Sequence, residues 1–257
     1  MIDLNRAKKA FKEFVKAYDI NNGRIRVKIE HTYKVAENSK QIAKSLNLNE
    51  EEQKLAELIG LLHDIGRFEQ IRIYNTYIDS KSIDHATQGI ITLFEEGKIR
   101  NFIEEKKYDD IIYKAIENHN KLKINENLSE KEKLFAKIIR DADKLDIFRV
   151  VTTENLKDAV AFESKDISEE VLSEQVYQSF KNKKMISYQE MKSNIDHMVV
   201  WIAYIYDLYF RKSFEMLKEN QYINKIINRV DYKDLETKKK MLEIGKVANQ
   251  YIEQKIK

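Results

Sequence analysis

The stretch IGLLHDIGRF, residues 59–68, runs three bulky apolar side chains straight into a histidine, an aspartate, a glycine and an arginine. His63 is four residues after Ile59 and eight after Leu55, so it shares the apolar stripe of a helix. A chain that aims ionisable groups at the end of a core helix must supply partners for them, because burying them alone is costly. Only five histidines are available in the whole chain, so the direction of each one matters.

Working outward from this stretch, apolar residues recur at spacings of three and four almost everywhere, which is the helical period. There is no proline and there are only six glycines in 257 residues, so the turn residues that strands depend on are scarce. The pattern predicts an all-α protein, with helices near 4–18, 28–47, 50–64, 83–96, 108–119, 130–149, 168–181, 187–218 and 231–256. Shorter turns are expected at 99–105, 153–163 and 221–228. Asn49 with Glu52, Ser129 with Glu132 and Ser187 with Glu190 each have the spacing of a capping box. Residues 66–82, GRFEQIRIYNTYIDSKS, show no helical stripe and read as a polar and aromatic loop, with Gly66 letting the chain turn away. No composition break marks a boundary. Residues 1–150 hold four of the histidines, and residues 151–257 read as a helical extension packed on them.

Composition narrows the class. The chain is 42% apolar and 35% charged, which fits a globular protein rather than a disordered one. A net charge of +3 makes no case for nucleic acid or an anionic membrane, and the scattered lysines read as solvated surface. Basic residues such as Lys106, Lys107 and Lys238 to Lys240 are interleaved with acids, which argues against a nucleic-acid groove. With no cysteine there is no disulfide and no thiolate zinc site, and a cytoplasmic location is expected. No apolar run follows a basic start, so no secretory signal is expected. The most apolar stretch, MVVWIAYIYDLYF at 198–210, is interrupted by Asp207 and falls short of the roughly 20 residues of a membrane span. It reads as a buried helix that serves as core or as an oligomer interface.

The remaining histidines follow the logic of His63. His31 lies four before Val35 and eleven before Ile42, and His119 follows Ile112, Ala115 and Ile116 on one face. Asp143 is four after Ile139 and eight after Phe135, and His85 opens a helix at the end of the polar loop. Imidazoles and carboxylates from several helices therefore point at one core, and a divalent cation both neutralises and bonds such a set. His197 reads instead as a core or capping histidine.

His31, then His63-Asp64, then Asp143 within RDADKLD resembles the HD-domain metal-dependent phosphohydrolase superfamily, over about residues 28–149. The flanking residues of HDIGRF and ADKLD match as well. The resemblance implies an all-helical HD-domain bundle with a C-terminal helical extension. It also implies a bound divalent cation and hydrolysis of a phosphate ester of a nucleotide or related small molecule. Members with one metal, such as the deoxynucleotide 5′-monophosphatases, need only the four core ligands. Two-metal members, including the HD-GYP and the mammalian-type cyclic nucleotide phosphodiesterases, place two further histidines between HD and the last aspartate. His85 in SIDHA and His119 in ENHNK stand in those places, so the chain resembles the two-metal branch, although it lacks the GYP signature.

The metal-ligand set implied is His31, His63, Asp64, His85, His119 and Asp143, with Asp64 bridging two divalent ions (Mn, Fe, Ni, Co, Zn or Mg) and an activated water attacking phosphorus. A single ion, with His85 and His119 lining the pocket, is the alternative. Arg67 is placed to contact substrate phosphate, or else to pair at the surface with Glu69. Lys144 is a further candidate for phosphate and Asp146 for orienting a ligand. Arg72, Tyr74 and Tyr77 are candidates from the loop. The alternative to an enzyme is a non-catalytic nucleotide-sensing module.

Overall fold

The computed structural model describes residues 1–76, 78–156, 166–184, 186 and 190–257. Among the described residues there is no strand, and the chain divides into two compact units, Met1–Asp146 and Ile147–Lys257.

The first unit is built from α1 (Leu4–Val15), α2 (Gly23–Ser45), α3 (Glu50–Leu62), α4 (Ile65–Tyr74), α5 (His85–Ile90), α6 (Ile99–Phe102), α7 (Asp109–Asn118) and most of α8 (Glu130–Thr153). Several starts are set by side chains that bond the first free amides of the helix. Asp3 accepts from the amides of Asn5 and Arg6, and Asn22 accepts from that of Arg24. Asn49 and Glu52 form the expected capping box. Ser129 and Glu132 bond each other reciprocally in the same way at the start of α8. Ser187, the third expected cap, lies outside the described residues.

Two glycines of the opening stretch set how closely the helices meet. A Cβ on Gly60 would stand 2.7 Å from the Cα of Ala36, so α2 and α3 touch backbone to backbone there. A Cβ on Gly66 would stand 2.3 Å from the carbonyl oxygen of His85 and 2.4 Å from the amide nitrogen of Gly89, so α4 and α5 pack in direct contact. Gly66 is therefore inside a helix, where it permits a close approach rather than a turn. Leu55, Leu58, Ile59 and Leu62 of α3 and Ile65 and Phe68 of α4 are fully buried, so the apolar run of the quoted stretch forms the centre of this unit. Phe11 of α1 meets Phe68 edge-on at 5.8 Å.

The segment 66–82 departs from expectation in its first half, because α4 continues to Tyr74 and ends on Asn75 in the left-handed conformation (φ 50°). Ile65, Phe68 and Ile71 do recur at three, but the same inward face also carries Gly66 and the buried Gln70, which read as polar or blank in sequence. Only residues after Tyr74 form the connection, with a 3-10 turn at Asp79–Lys81. Residue 77 lies outside the described residues.

The second unit contains helices at Glu174–Lys181, Asn194–Ala203, Arg211–Glu219, Tyr222–Ile227 and Leu235–Ile256. The expected helix over 168–181 starts late because preceding amides bond side chains instead: Leu172 to Thr237 Oγ1 and Ser173 to Asp196 Oδ1. The expected long helix over 187–218 is broken. Its helix starts at Asn194, gives way to a 3-10 turn at Tyr204–Asp207, and Leu208 is extended. The turn expected near 221–228 is instead a short helix. Most of the turn expected over 153–163 falls outside the described residues. No described helix is long and apolar enough to cross a membrane.

Candidate metal centre

The elements deliver their ionisable groups to one place. His31 lies within α2, His63 caps the C-terminus of α3, and Asp64 occupies the N-cap of α4. His85 is the first residue of α5, His119 caps the C-terminus of α7, and Asp143 comes from α8. All but Asp143 are buried, and the Asp143 side chain is 18% exposed.

Hydrogen bonds on the outer nitrogen of each ring determine what its inner nitrogen offers. His63 Nδ1 lies 2.8 Å from the carbonyl oxygen of Gly60, and His119 Nδ1 lies 2.7 Å from that of Ile116. A carbonyl only accepts, so each Nδ1 carries the hydrogen and donates it. His31 Nδ1 donates to Asp146 Oδ2 at 2.8 Å, and His85 Nδ1 to Asp79 Oδ2 at 2.7 Å. All four rings thus turn Nε2 inward. The Nε2 atoms of His31 and His63 are buried and make no hydrogen bond of good geometry.

Asp64 stands between two pairs of these atoms. Its Oδ2 is 3.6 Å from His31 Nε2 and 3.8 Å from His63 Nε2, and its Oδ1 is 3.6 Å from His85 Nε2 and 3.8 Å from His119 Nε2. Asp143 Oδ1 adds to the first pair, 3.2 Å from His31 Nε2 and 3.7 Å from His63 Nε2. His31, His63 and Asp64 make one set able to hold a cation, and Asp64, His85 and His119 a second. His85 Nε2 and His119 Nε2 are 3.0 Å apart. Two imidazole nitrogens bound side by side to one ion at about 2.1 Å stand about 3 Å from each other. The donor set therefore fits divalent cations, in two places that share Asp64.

The two carboxylates, His85 and His119 agree with this, whereas burial and Lys28 push His31 down but Asp143 and Asp146 outweigh them and raise it. Burial pushes the Asp64 carboxyl up, but Lys28, His63, Arg67 and His85 together hold it well below the usual carboxylate range. Burial acts the same way on Asp143, and the adjacent His31 and His63 outweigh it. Burial, with His85 and His63 beside it, pushes His119 down to about 3. Burial and Arg67 likewise lower His85. Neutral imidazoles and ionised carboxylates are the forms that bind metal.

The remaining expected residues fall at varied distances. The Arg67 guanidinium is mostly buried and bonds Gln70 Oε1 and Asp79 Oδ1, both at 2.7 Å, and its Nη2 is 3.3 Å from His85 Nε2. It is Arg72, not Arg67, that pairs with Glu69, at 2.5 Å on the surface. Lys144 is buried on α8 beside Asp143, its side chain starting about 100° further round the helix. Tyr74 is exposed, Tyr77 lies outside the described residues, and His197 is partly buried in the second unit.

Three residues carry no clear mark in the sequence. Lys28, which reads as one of the surface lysines, is largely buried and holds Asp64 Oδ2 at 2.7 Å. Its spacing of three from His31 on one helix face is the signal that could have found it. Asp79 sits in the polar connection, where no periodicity marks direction. Arg140 is fully buried and donates to the carbonyls of Asn118, Lys121 and Leu122, closing the end of α7 that presents His119.

Residues 29–147 match the family model described as HD domain. The chain matches no curated protein and no solved structure. The matched segment begins just before His31 and ends just after Asp143, so it encloses all six residues of the centre. Over residues 29–147 this chain carries an HD domain.

Proposed function

We propose that this protein hydrolyses a phosphate ester of a nucleotide or related small molecule, using two divalent cations that share Asp64. The observation that carries the reading is the division of Asp64, one oxygen facing His31 and His63 and the other facing His85 and His119. His31, His63, Asp64 and Asp143 would hold the first ion, and Asp64, His85 and His119 the second. When bound, such ions lower the pKa of a water toward neutrality and offset the charge that develops on phosphorus.

The chain's own groups do the rest. The four outer hydrogen bonds fix the rings with Nε2 inward and keep them from turning. The Arg67 guanidinium, beside His85, binds a phosphate oxygen, a role its planar fork suits better than an ammonium.

The test is hydrolysis by metal-stripped protein resupplied in turn with Mn, Fe, Co, Ni, Zn or Mg, on a nucleotide monoester and a diester. Turnover is expected to return with metal and to be absent in Asp64→Ala. Folded, metal-loaded protein that binds nucleotide without turning over either ester would replace this reading with a nucleotide-sensing module.

A further inference from the structure

We propose that Asp79 is the positioning residue of the second cation site, and that it couples this site to the phosphate-binding arginine. The inference rests on the two-cation reading above. Asp79 comes from the 3-10 turn of the 75–84 connection, outside the ligand set. Its two oxygens have different partners. Oδ2 accepts from His85 Nδ1 at 2.7 Å, which assigns the lone pair of that ring to Nε2 and makes it a stronger donor toward a cation. Oδ1 accepts from Arg67 Nη1 at 2.7 Å, and Arg67 Nη2 then rests 3.3 Å from the same His85 Nε2.

Asp79 is itself held. Gln70 has no exposed surface, and its Nε2, with two hydrogens to donate, lies 2.9 Å from Asp79 Oδ1 and 2.8 Å from both Ser82 Oγ and the carbonyl oxygen of Ile83. Its Oε1 accepts from the same Arg67 Nη1. One buried amide thus pins the turn to α4, and one carboxylate fixes both a metal-facing imidazole and a phosphate-facing guanidinium. Loss of Asp79 removes the acceptor that orders His85 Nδ1 and one of those that hold Arg67 Nη1, leaving Gln70 Oε1 for the arginine and the Asn120 amide 3.4 Å from His85 Nδ1, whereas the first site, ordered by Asp146 and Gly60, is untouched.

The experiment titrates Mn(II) alone into metal-stripped wild type, Asp79→Asn and Asp79→Ala, and then inorganic phosphate into each Mn-loaded protein. Wild type is expected to take two equivalents. Asp79→Ala keeps the first and binds the second roughly ten- to a hundredfold more weakly. Asp79→Asn, which retains one good acceptor, falls between, and phosphate binding weakens in both. Nitrogen NMR of His85 is expected to show one tautomer in wild type and a mixture in Asp79→Ala. Two equivalents of unchanged affinity in both variants would overturn the role of Asp79 alone. A single equivalent in wild type would overturn the two-cation reading and this inference with it. If Asp79→Ala fails to fold, the isosteric Asp79→Asn decides between the same outcomes by the same measurements.

Discussion

Asp64 and its neighbours show how much a single side chain owes to the groups behind it. Its carboxylate meets four inward nitrogens, and each of those is aimed by a bond on the far side of its ring. Asp146 does this for His31 with a charged acceptor. Asp146→Asn is therefore expected to leave the fold in place and weaken the first-site cation roughly ten- to a hundredfold, read by titration of metal-stripped protein. At this scale the sequence is informative for His31, His63, His119 and Asp143, because spacing against apolar neighbours tells which way a helical side chain points; His85, at the head of its helix, is marked only by the family resemblance. It is uninformative for Asp79, because a connection without periodicity carries no direction. It misleads for Lys28, because an ammonium on a long stem can snorkel outward or fold inward from one position.

Among the elements, the close contacts at Gly60 and Gly66 hold the site together. His85 is carried on α5, and α5 reaches its position only because α4 presents no Cβ at Gly66. Gly66→Ala would place that Cβ against backbone atoms, which cannot move aside as a side chain can. The expected result is a loss of about 1–3 kcal/mol or more in denaturant unfolding, together with loss of the second-site cation. Helix starts are legible where a short polar side chain caps them, as at Asn49 and Ser129. Helix ends are less so. The aromatic run after Met198 looks like one continuous helix because its apolar content never falls, yet the backbone leaves the helix after Ala203. Apolar content records burial, and burial alone does not specify the backbone. The same confusion in reverse hides α4, whose inward face includes Gln70.

Across the whole molecule, the centre makes stability depend on protons and on metal. His119 folds with its pKa lowered to about 3 from an ordinary 6.5. Between those values the unfolded chain takes up a proton that the folded one refuses, so metal-free protein loses stability as the pH falls below about 6.5. Asp64 and Asp143, held low in the folded protein, extend the loss below the ordinary carboxylate value of 3.8. His31, whose pKa is raised, acts above this range, its contribution being complete below 6.5 and lost as the pH rises. Thermal melts of metal-stripped protein at stepped pH are expected to show a Tm that falls on acidification, and a Tm independent of pH from 7 to 4 would contradict it. At neutral pH, cation at a hundredfold excess over its Kd is expected to add about 2.7 kcal/mol per site. The all-α architecture is legible from period and from the scarcity of turn residues.

The most direct test of the shared-carboxylate centre is an anomalous difference map from crystals of the Mn-loaded protein. Two peaks are expected on either side of Asp64, one between His31, His63 and Asp143 and the other between His85 and His119. A single peak, or none within bonding distance of Asp64, would contradict the shared centre.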